Sequence, residues 1–259
     1  MTDRAAIASV VAADLAQPIP DAVAAAADAL CVQHKEGIAA ILFYGSCLRD
    51  GEIEGRIVDF YVLADSYRAF HRSALAALAN FVLPPNVYYA EIPHGDTVVR
   101  VKYTVFSKSA FRRGTRSTTL QPTVWARFCQ PCALVHARSD DVRKAVTEDI
   151  VRAVTTMARV TQPLLGGSFT SQEFWVRAFS ESYRAELRAE RAERPALIYD
   201  SDRARYDTLS AALFPAADGH GLYRNPSGSA DRLRARILAP LRRVEGKTLN
   251  AARVVKAAF

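Results

Sequence analysis

The residues best suited to chemistry lie in segment 41–65, ILFYGSCLRDGEIEGRIVDFYVLAD. Its first apolar run ends at Gly45, which permits a tight exit and a close approach of the backbone to a ligand. Ser46 adds a hydroxyl beside the free N–H groups that a following helix would present to an anion. A second apolar run, 58–63, contains one charge, Asp59. Because an unpaired buried carboxylate is costly, Asp59 needs a partner, and Mg²⁺ bridging to a nucleotide triphosphate is a suitable one.

The same segment has a simpler interpretation. A Gly-Ser turn follows strands in many α/β proteins, and a lone strand aspartate can form a hydrogen bond or lie on an edge. A metal site of the nucleotidyltransferase type has two carboxylates at alternate positions of one strand, so that both face the metal. Here the alternate position is Tyr61. Asp65, on the same strand face by alternation, is the expected second metal ligand, and Glu91 is the other candidate.

The composition favours anionic partners without choosing among them. Half of the 259 residues are hydrophobic, and 34 Lys and Arg stand against 27 Asp and Glu. No apolar stretch approaches the ~20 residues of a spanning helix, and the N-terminus lacks a signal-peptide layout, so a cytoplasmic or peripheral membrane location is expected. The predicted sheet lacks interleaved aromatic and basic residues, so no nucleic acid is expected. Cys129 and Cys132 have no second ligand pair, which predicts structural thiols.

The pattern along the chain predicts an α+β fold. A mixed sheet of the nucleotidyltransferase type with flanking helices is expected over 1–138, a mainly helical domain, with a winged helix as one option, over 139–228, and a basic amphipathic tail over 229–259. In the predicted strand 97–106, Lys102 projects to the face opposite the valines. The predicted helices are 5–16, 21–34, 66–81, 140–158 and 170–193. The other predicted strands are 41–44, 57–63, 87–92 and the short run CALVHA.

An ordered set of short elements is similar to one family. The elements are Tyr44-Gly45-Ser46, Val58-Asp59-Phe60, Phe70-His71, Val87-Tyr88-Tyr89, Val101-Lys102-Tyr103, Ala126-Arg127 with Gln130-Pro131, Phe169-Thr170 through Glu173, and Ser182-Tyr183 through Arg188. In order and spacing they resemble the mitochondrial translocator assembly and maintenance family, whose members are phosphatidate cytidylyltransferases. That family also has one aspartate in the second strand, with an uncharged residue two positions on.

The resemblance implies transfer of CMP from CTP to phosphatidic acid, with Mg²⁺ as cofactor and CDP-diacylglycerol and pyrophosphate as products. It implies metal binding by Asp59, phosphate binding by Gly45 and Ser46, and stabilisation of the transferring phosphate by Lys102. The further substrate-binding candidates are His71, Tyr89, Arg127 and Arg188.

Simpler roles stay open for several of these residues. Lys102 would then lie on a solvated strand face, His71 would cap a helix, and Arg127 and Arg188 would form core ion pairs. The alternative functions are a soluble nucleotidyltransferase acting on another phosphorylated small molecule or protein, and a non-catalytic relative that binds nucleotide or membrane.

The tail interleaves basic and apolar residues. This pattern is typical of a helix that lies on an anionic membrane surface at the inner leaflet, and residues 246–259 are the expected anchor. The alternative is a helix packed on the protein itself, with its arginines in solvent. Pro240 and Gly246 predict that the tail is split into shorter helices.

Overall fold

The computed structural model describes residues 2–185, 193–216 and 221–257, without the side chains of residues 254, 255 and 257. These residues form two compact units, each built from separate stretches of chain. The sheet unit comprises 12–113, 131–147 and the residues from 253 on, and the helical unit comprises 1–11, 114–130 and 148–252. The boundaries of these units differ from the predicted domain boundaries at residues 138 and 228, because segments distant in sequence pack together.

Helices and strands account for most of the described chain. The helices are α1 (Arg4–Leu15), α2 (Asp21–His34), α3 (Ser46–Asp50), α4 (Tyr67–Phe70), α5 (Ala74–Val82), α6 (Lys108–Gly114), α7 (Thr123–Arg127), α8 (Asp140–Thr161), α9 (Ser171–Arg184), α10 (Arg194–Asp200), α11 (Arg203–Leu213) and α12 (Ser229–Ala257). The strands are β1 (Ile38–Tyr44), β2 (Ile57–Ala64), β3 (Asn86–His94), β4 (Thr97–Ser107), β5 (Ala133–Ala137), β6 (Ser168–Thr170) and β7 (Leu222–Arg224).

A mixed five-stranded sheet organises the sheet unit. Its order is β3-β4-β2-β1-β5, in which β2 and β4 are parallel and every other neighbouring pair is antiparallel. The prediction of an α+β chain with a mixed sheet flanked by helices is confirmed. The parallel pair matters most, because it sets two strands far apart in sequence side by side in the middle of the sheet.

Side-chain alternation gives the sheet two different faces. On one face Val58, Phe60 and Val62 of β2 join a buried cluster with apolar residues of α2, α4 and α5. The intervening residues Asp59 and Tyr61 therefore lie on the opposite face, as does Lys102 of β4 between Val101 and Tyr103 of the cluster. The prediction that Lys102 faces away from the valines agrees with this register.

The helical unit has an aromatic core of its own. Trp175 of α9 is fully buried against Tyr206 of α11, and its indole N–H donates to the Tyr206 carbonyl at 3.0 Å. Thr170 and Glu173 form a capping box that starts α9. Cys129 is buried and its thiol donates to the Trp125 carbonyl, while burial raises the thiol pKa. None of the four cysteines, all of which lie in the described ranges, forms a disulfide.

The predicted helix 66–81 is interrupted. It divides into α4 and α5 because Ser66 and Ser73 each act as an N-cap, accepting from the N–H of Ala69 and Ala76 respectively. His71 ends α4 in an extended conformation, with its N–H bonded to the Tyr67 carbonyl. Ser73 is the sequence signal for this second helix start.

The tail forms one helix, so the prediction that Pro240 and Gly246 divide it is wrong. Helix α12 runs through both positions. Gly246 serves close packing instead, since a Cβ there would lie 2.4 Å from the Ala185 carbonyl oxygen. At its end, in the sheet unit, Arg253 donates to the Pro84 carbonyl at 2.8 Å and Lys256 to the Pro85 carbonyl at 3.1 Å. These contacts favour the alternative of a tail packed on the protein.

No helix within the described ranges combines the length and the apolar character that crossing a bilayer requires. Among the described side chains of α12, the exposed large apolar residues precede Gly246, at Leu233, Ile237, Leu241 and Val244.

The contact at Gly246 can be tested by adding one methyl group. In an exposed helix, replacing glycine by alanine stabilises by up to about 1 kcal/mol. Here the added Cβ meets the Ala185 backbone, so Gly246→Ala is expected to destabilise the protein by about 1–3 kcal/mol, as overpacking does. Chemical denaturation measures the change, and Lys247→Ala on the exposed side of the same helix is the control. A Gly246→Ala protein more stable than wild type would contradict the close approach.

Candidate functional site

The turn after β1 depends on Gly45. Its φ of 92° lies in the region that favours glycine, and it directly precedes the first turn of α3. A Cβ on Gly45 would lie 3.0 Å from Oδ2 of Asp59. The backbone at Gly45 is therefore close to the Asp59 carboxylate, which Tyr44 also opposes across the β1–β2 ladder. The structure thus brings together the two predicted features, the Gly-Ser turn and the strand aspartate.

Asp59 and Lys102 form an ion pair across the parallel strands. They are register partners on β2 and β4, and the Lys102 ammonium lies 2.6 Å from Oδ1 of Asp59. The Asp59 side chain is 20% exposed and that of Lys102 is 45% exposed, so solvent can reach the ion pair. Lys102 therefore has an ion-pair partner on this face, in addition to its contact with solvent.

The same face continues onto β3. Tyr89 is the register partner of Lys102, and Glu91 that of Arg100. The Tyr89 hydroxyl donates to Glu91 at 2.8 Å, and this hydrogen bond raises the pKa of the phenol. Asp59, Lys102 and Tyr89 therefore form a row across three strands.

Arg100 is a residue that the sequence analysis did not assign to the site. It lies two positions before Lys102 on the same strand face, and its guanidinium donates to the Gly55 carbonyl at 2.7 Å. The signal was present, since two cations alternate with valines in β4. Arg100 and Lys102 place two cations on this face, beside the carboxylates of Glu91 and Asp59.

Tyr61 occupies the position where a second acid would stand. It is 3% exposed, packs edge-to-face on Tyr44 with centroids 5.0 Å apart, and stacks on Phe106 at 5.7 Å. An aromatic cluster therefore fills the face beyond Asp59. A carboxylate at position 61 would be desolvated among these rings, which explains the absence of a charge there.

Asp65 does not lie with Asp59, which corrects the prediction of a shared metal site. Asp59 and Asp65 are six positions apart along an extended chain, which corresponds to about 20 Å at ~3.3 Å per residue. Asp65 instead forms ion pairs with Lys108 and Arg138. Burial by itself would raise the pKa of Asp65, but the hydrogen bonds and charges of these two cations outweigh it and hold the pKa below its usual value. Asp65 is a structural anion.

His71 lies on the other side of the sheet, so the structure does not bring it to the candidate site. Its Nε2 is 2.9 Å from Oδ1 of the fully buried Asn80, and its Nδ1 is 3.4 Å from the Tyr88 hydroxyl. Tyr88 packs against the core cluster, whereas its neighbour Tyr89 points to the opposite face. His71 is the C-cap residue of α4, and its hydrogen bond to Asn80 connects α4 to α5. This agrees with the alternative of a helix-capping role.

The remaining predicted residues are in different places. Ser46 is the first residue of α3, next to Gly45, and is half-buried. Arg127 is the last residue of α7 in the helical unit. Arg188 lies outside the described residues.

Asp59 provides a single carboxylate as a possible metal ligand. Within the described residues no group of three or more His, Cys, Asp or Glu side chains could enclose a metal ion. Glu91 is two strands away from Asp59, about 10 Å laterally. A single carboxylate nevertheless fits Mg²⁺, which keeps several waters and binds through one or two carboxylates together with substrate phosphates.

A scan against protein-family models finds no match for this chain, and a search of curated proteins finds none. The arrangement around Asp59 combines group types that contact phosphates and metal ions in proteins. It offers a close backbone turn at Gly45, one carboxylate at Asp59, and the cations Lys102 and Arg100 on one face of the sheet.

The structural role of Asp65 predicts a definite pH dependence. Because its folded pKa is depressed, the stability it contributes is present above the unfolded pKa, about 3.9, and is lost as pH falls through the folded value. Asp65→Asn is expected to cost about 1 kcal/mol at pH 7, as partly exposed ion pairs do. Thermal unfolding from pH 7 to 2 should show the two proteins converging in acid, with Asp96→Asn, in an exposed turn, as control. A constant difference across this range would contradict the assignment.

Proposed function

We propose that the chain is a cytidylyltransferase that transfers CMP from CTP to phosphatidic acid, releasing pyrophosphate and forming CDP-diacylglycerol. The observation that carries the proposal is the closure of the Gly45 turn onto Asp59, with Asp59 paired to Lys102 across parallel strands. The ordered resemblance of the short motifs supports the same activity, and a nucleotidyltransferase fold for the sheet unit is part of the proposal.

The proposed reaction does not require a dedicated general base. The acceptor is a phosphate monoester whose second pKa is about 6, so at neutral pH it is largely a dianion and already nucleophilic. An oxygen of this phosphate forms a bond to the α-phosphorus of CTP, and the bond from that phosphorus to the bridging β-oxygen breaks. The electron pair leaves with pyrophosphate. The site must therefore align the phosphates and neutralise their charge.

Asp59, Lys102, Arg100 and the Gly45-Ser46 turn each have a part in this task. Asp59 would hold Mg²⁺ together with the phosphates of CTP, and the ion when bound supplies charge neutralisation. Lys102, 2.6 Å from Asp59, is placed to donate to an oxygen of the transferring phosphoryl group. Arg100, on the same face, adds a second cation, and the Gly45-Ser46 turn lets backbone and hydroxyl approach the leaving phosphates.

An exposed apolar helix favours a lipid over a soluble acceptor. Helix α5 contains no charged residue, and four of its large apolar side chains are each more than half exposed: Leu75, Leu78, Phe81 and Val82. Arg68 and Arg72 are exposed just before it. An apolar helix face flanked by arginines is suited to the interface of an anionic membrane. We assign the peripheral membrane contact to this face, and with it a cytoplasmic location at the inner leaflet.

Substitutions in the ion pair test the reaction. Asp59→Ala is expected to lower kcat by at least about 1,000-fold, the scale of a lost metal contribution, and Lys102→Ala by about 100-fold, because charge on the transferring phosphate is no longer compensated. Conversion of radiolabelled CTP with phosphatidic acid vesicles and Mg²⁺ measures both. Circular dichroism and thermal unfolding establish that the variants fold, and Asp96→Asn is the control.

Near-normal turnover by a folded Asp59→Ala protein would sink the site assignment. Pyrophosphate release with a soluble phosphorylated acceptor, but none with phosphatidic acid, would establish the alternative of a soluble nucleotidyltransferase. Absence of turnover with any nucleotide and acceptor would favour a binding protein without catalysis.

The membrane contact is tested by placing charge on α5. Leu78→Glu with Phe81→Glu should reduce sedimentation with phosphatidic acid vesicles at least tenfold, since carboxylates oppose insertion beside anionic lipid. Turnover of a soluble short-chain phosphatidate should change little. Val32→Glu, at an isolated exposed valine of α2, is the matched control. Reduced binding in Leu233→Glu with Ile237→Glu, but not in the α5 variant, would assign the contact to α12 instead.

A further inference from the structure

The helical unit contains a small polar cavity that no part of the proposed reaction uses. It has a volume of about 160 Å³ and is bounded by α8, α12 and the loop before α7. Its polar lining consists of three arginines, two hydroxyl residues and one acid: Arg159, Arg234, Arg242, Ser117, Thr118 and Asp231. None of these belongs to the row at Asp59.

Arg242 is the unusual member of this set. It is 9% exposed, and its buried Nε has no hydrogen-bond partner among the described residues. Burial lowers the pKa of its guanidinium, and the charge of Arg234 lowers it further. An arginine stays charged at neutral pH, so it carries a desolvated charge into the cavity wall.

Other buried or half-buried arginines of the same unit have identifiable partners. Arg243, the next residue of α12, pairs with Glu181 at 2.6 Å. Arg205, 7% exposed, donates to the Cys129 carbonyl at 3.0 Å. Arg243 and Arg205 thus each have an anion or a carbonyl acceptor for part of the guanidinium, whereas the described residues provide no such partner for Arg242.

The charge balance of the cavity favours an anion. Three guanidinium groups face one carboxylate, and Asp231 also accepts from the backbone N–H of Gly228 at 3.2 Å. A buried charge without compensation costs several kcal/mol. Since a water molecule takes about 30 Å³, the cavity has room for a group of five heavy atoms such as a phosphate.

We propose that this cavity is a binding site for a phosphate group, held by Arg242, Arg234 and Arg159. Arginine matches phosphate oxygens bidentately, and the hydroxyls of Ser117 and Thr118 can each donate to a further oxygen. The ligand class is a phosphate monoester, carried either by a free phosphorylated metabolite or by the headgroup of an acidic lipid. The site does not depend on the proposed transferase activity, because the two share no residue.

Calorimetric titration of the full chain with inorganic phosphate tests the site. Saturable binding is expected, with Arg242→Met and Arg234→Met each weakening it at least tenfold. Arg236→Met is the matched control and should bind phosphate as wild type does, because Arg236 is an exposed arginine of the same helix, two positions after Arg234. Repeating the titrations in a Lys102→Ala background excludes phosphate bound at the row of Asp59 and Lys102.

Thermal unfolding distinguishes a ligand site from a structural arginine. Without phosphate, Arg242→Met should melt at the same or a higher temperature than wild type. The substitution replaces an uncompensated buried charge by an uncharged side chain of similar volume. With phosphate, the melting temperature of wild type should rise and that of Arg242→Met should not.

Two outcomes would overturn the proposal. One is an equal phosphate effect in wild type, Arg242→Met and Arg234→Met, and the other is no phosphate binding by wild type. The source of the phosphate is resolved by comparing glycerol 3-phosphate with vesicles of phosphatidic acid in phosphatidylcholine. Loss of vesicle binding in Arg242→Met identifies a lipid headgroup, and loss of glycerol 3-phosphate binding alone identifies a soluble ligand.

Discussion

The pairing of β2 with β4 is the constraint on which the candidate site depends. These strands run parallel in the middle of the sheet, and their register sets Asp59 opposite Lys102. A shift of this register by one residue would place the lysine among the valines of the core face. The ion pair and the apolar alternation therefore support each other, since one register satisfies both the buried face and the charged one.

The aromatic cluster on the charged face limits the chemistry that the site can perform. Tyr44, Tyr61 and Phe106 pack together beyond Asp59 and leave one carboxylate at the centre of the strand. A metal bound there must take its remaining ligands from water and from the substrate's phosphates. In the proposed reaction, metal binding and substrate binding would be coupled, because the substrate's phosphates supply ligands that the protein lacks.

The buried and partly buried charges of the chain fall into two groups. Asp65 is compensated by Lys108 and Arg138, and Glu181 by Arg243, so these groups stabilise the fold. Arg242 has no such compensation among the described residues. A charge balanced from within is structural, whereas a buried charge left unbalanced is a reason to look for a ligand.

Local patterns in the sequence were sufficient to predict the strands of the central sheet, the helix α2 and the Gly45 turn. Apolar alternation and turn residues act over a few neighbours, and this is the range that a single sequence records. Alternation also assigned Lys102 to the correct face. It could not show that Asp59 stands beside it, because more than 40 residues separate the two in the chain.

Tertiary structure decided which of the predicted residues share a site. Asp65 was on the right face but about 20 Å along the strand, and His71 was close in sequence but behind the sheet. The tail helix continues through Gly246, where it packs closely against Ala185, a contact that local propensity does not encode. The burial of Arg242 likewise follows from the packing of distant segments. Sequence by itself determined the elements and their faces, and long-range packing determined which charges meet.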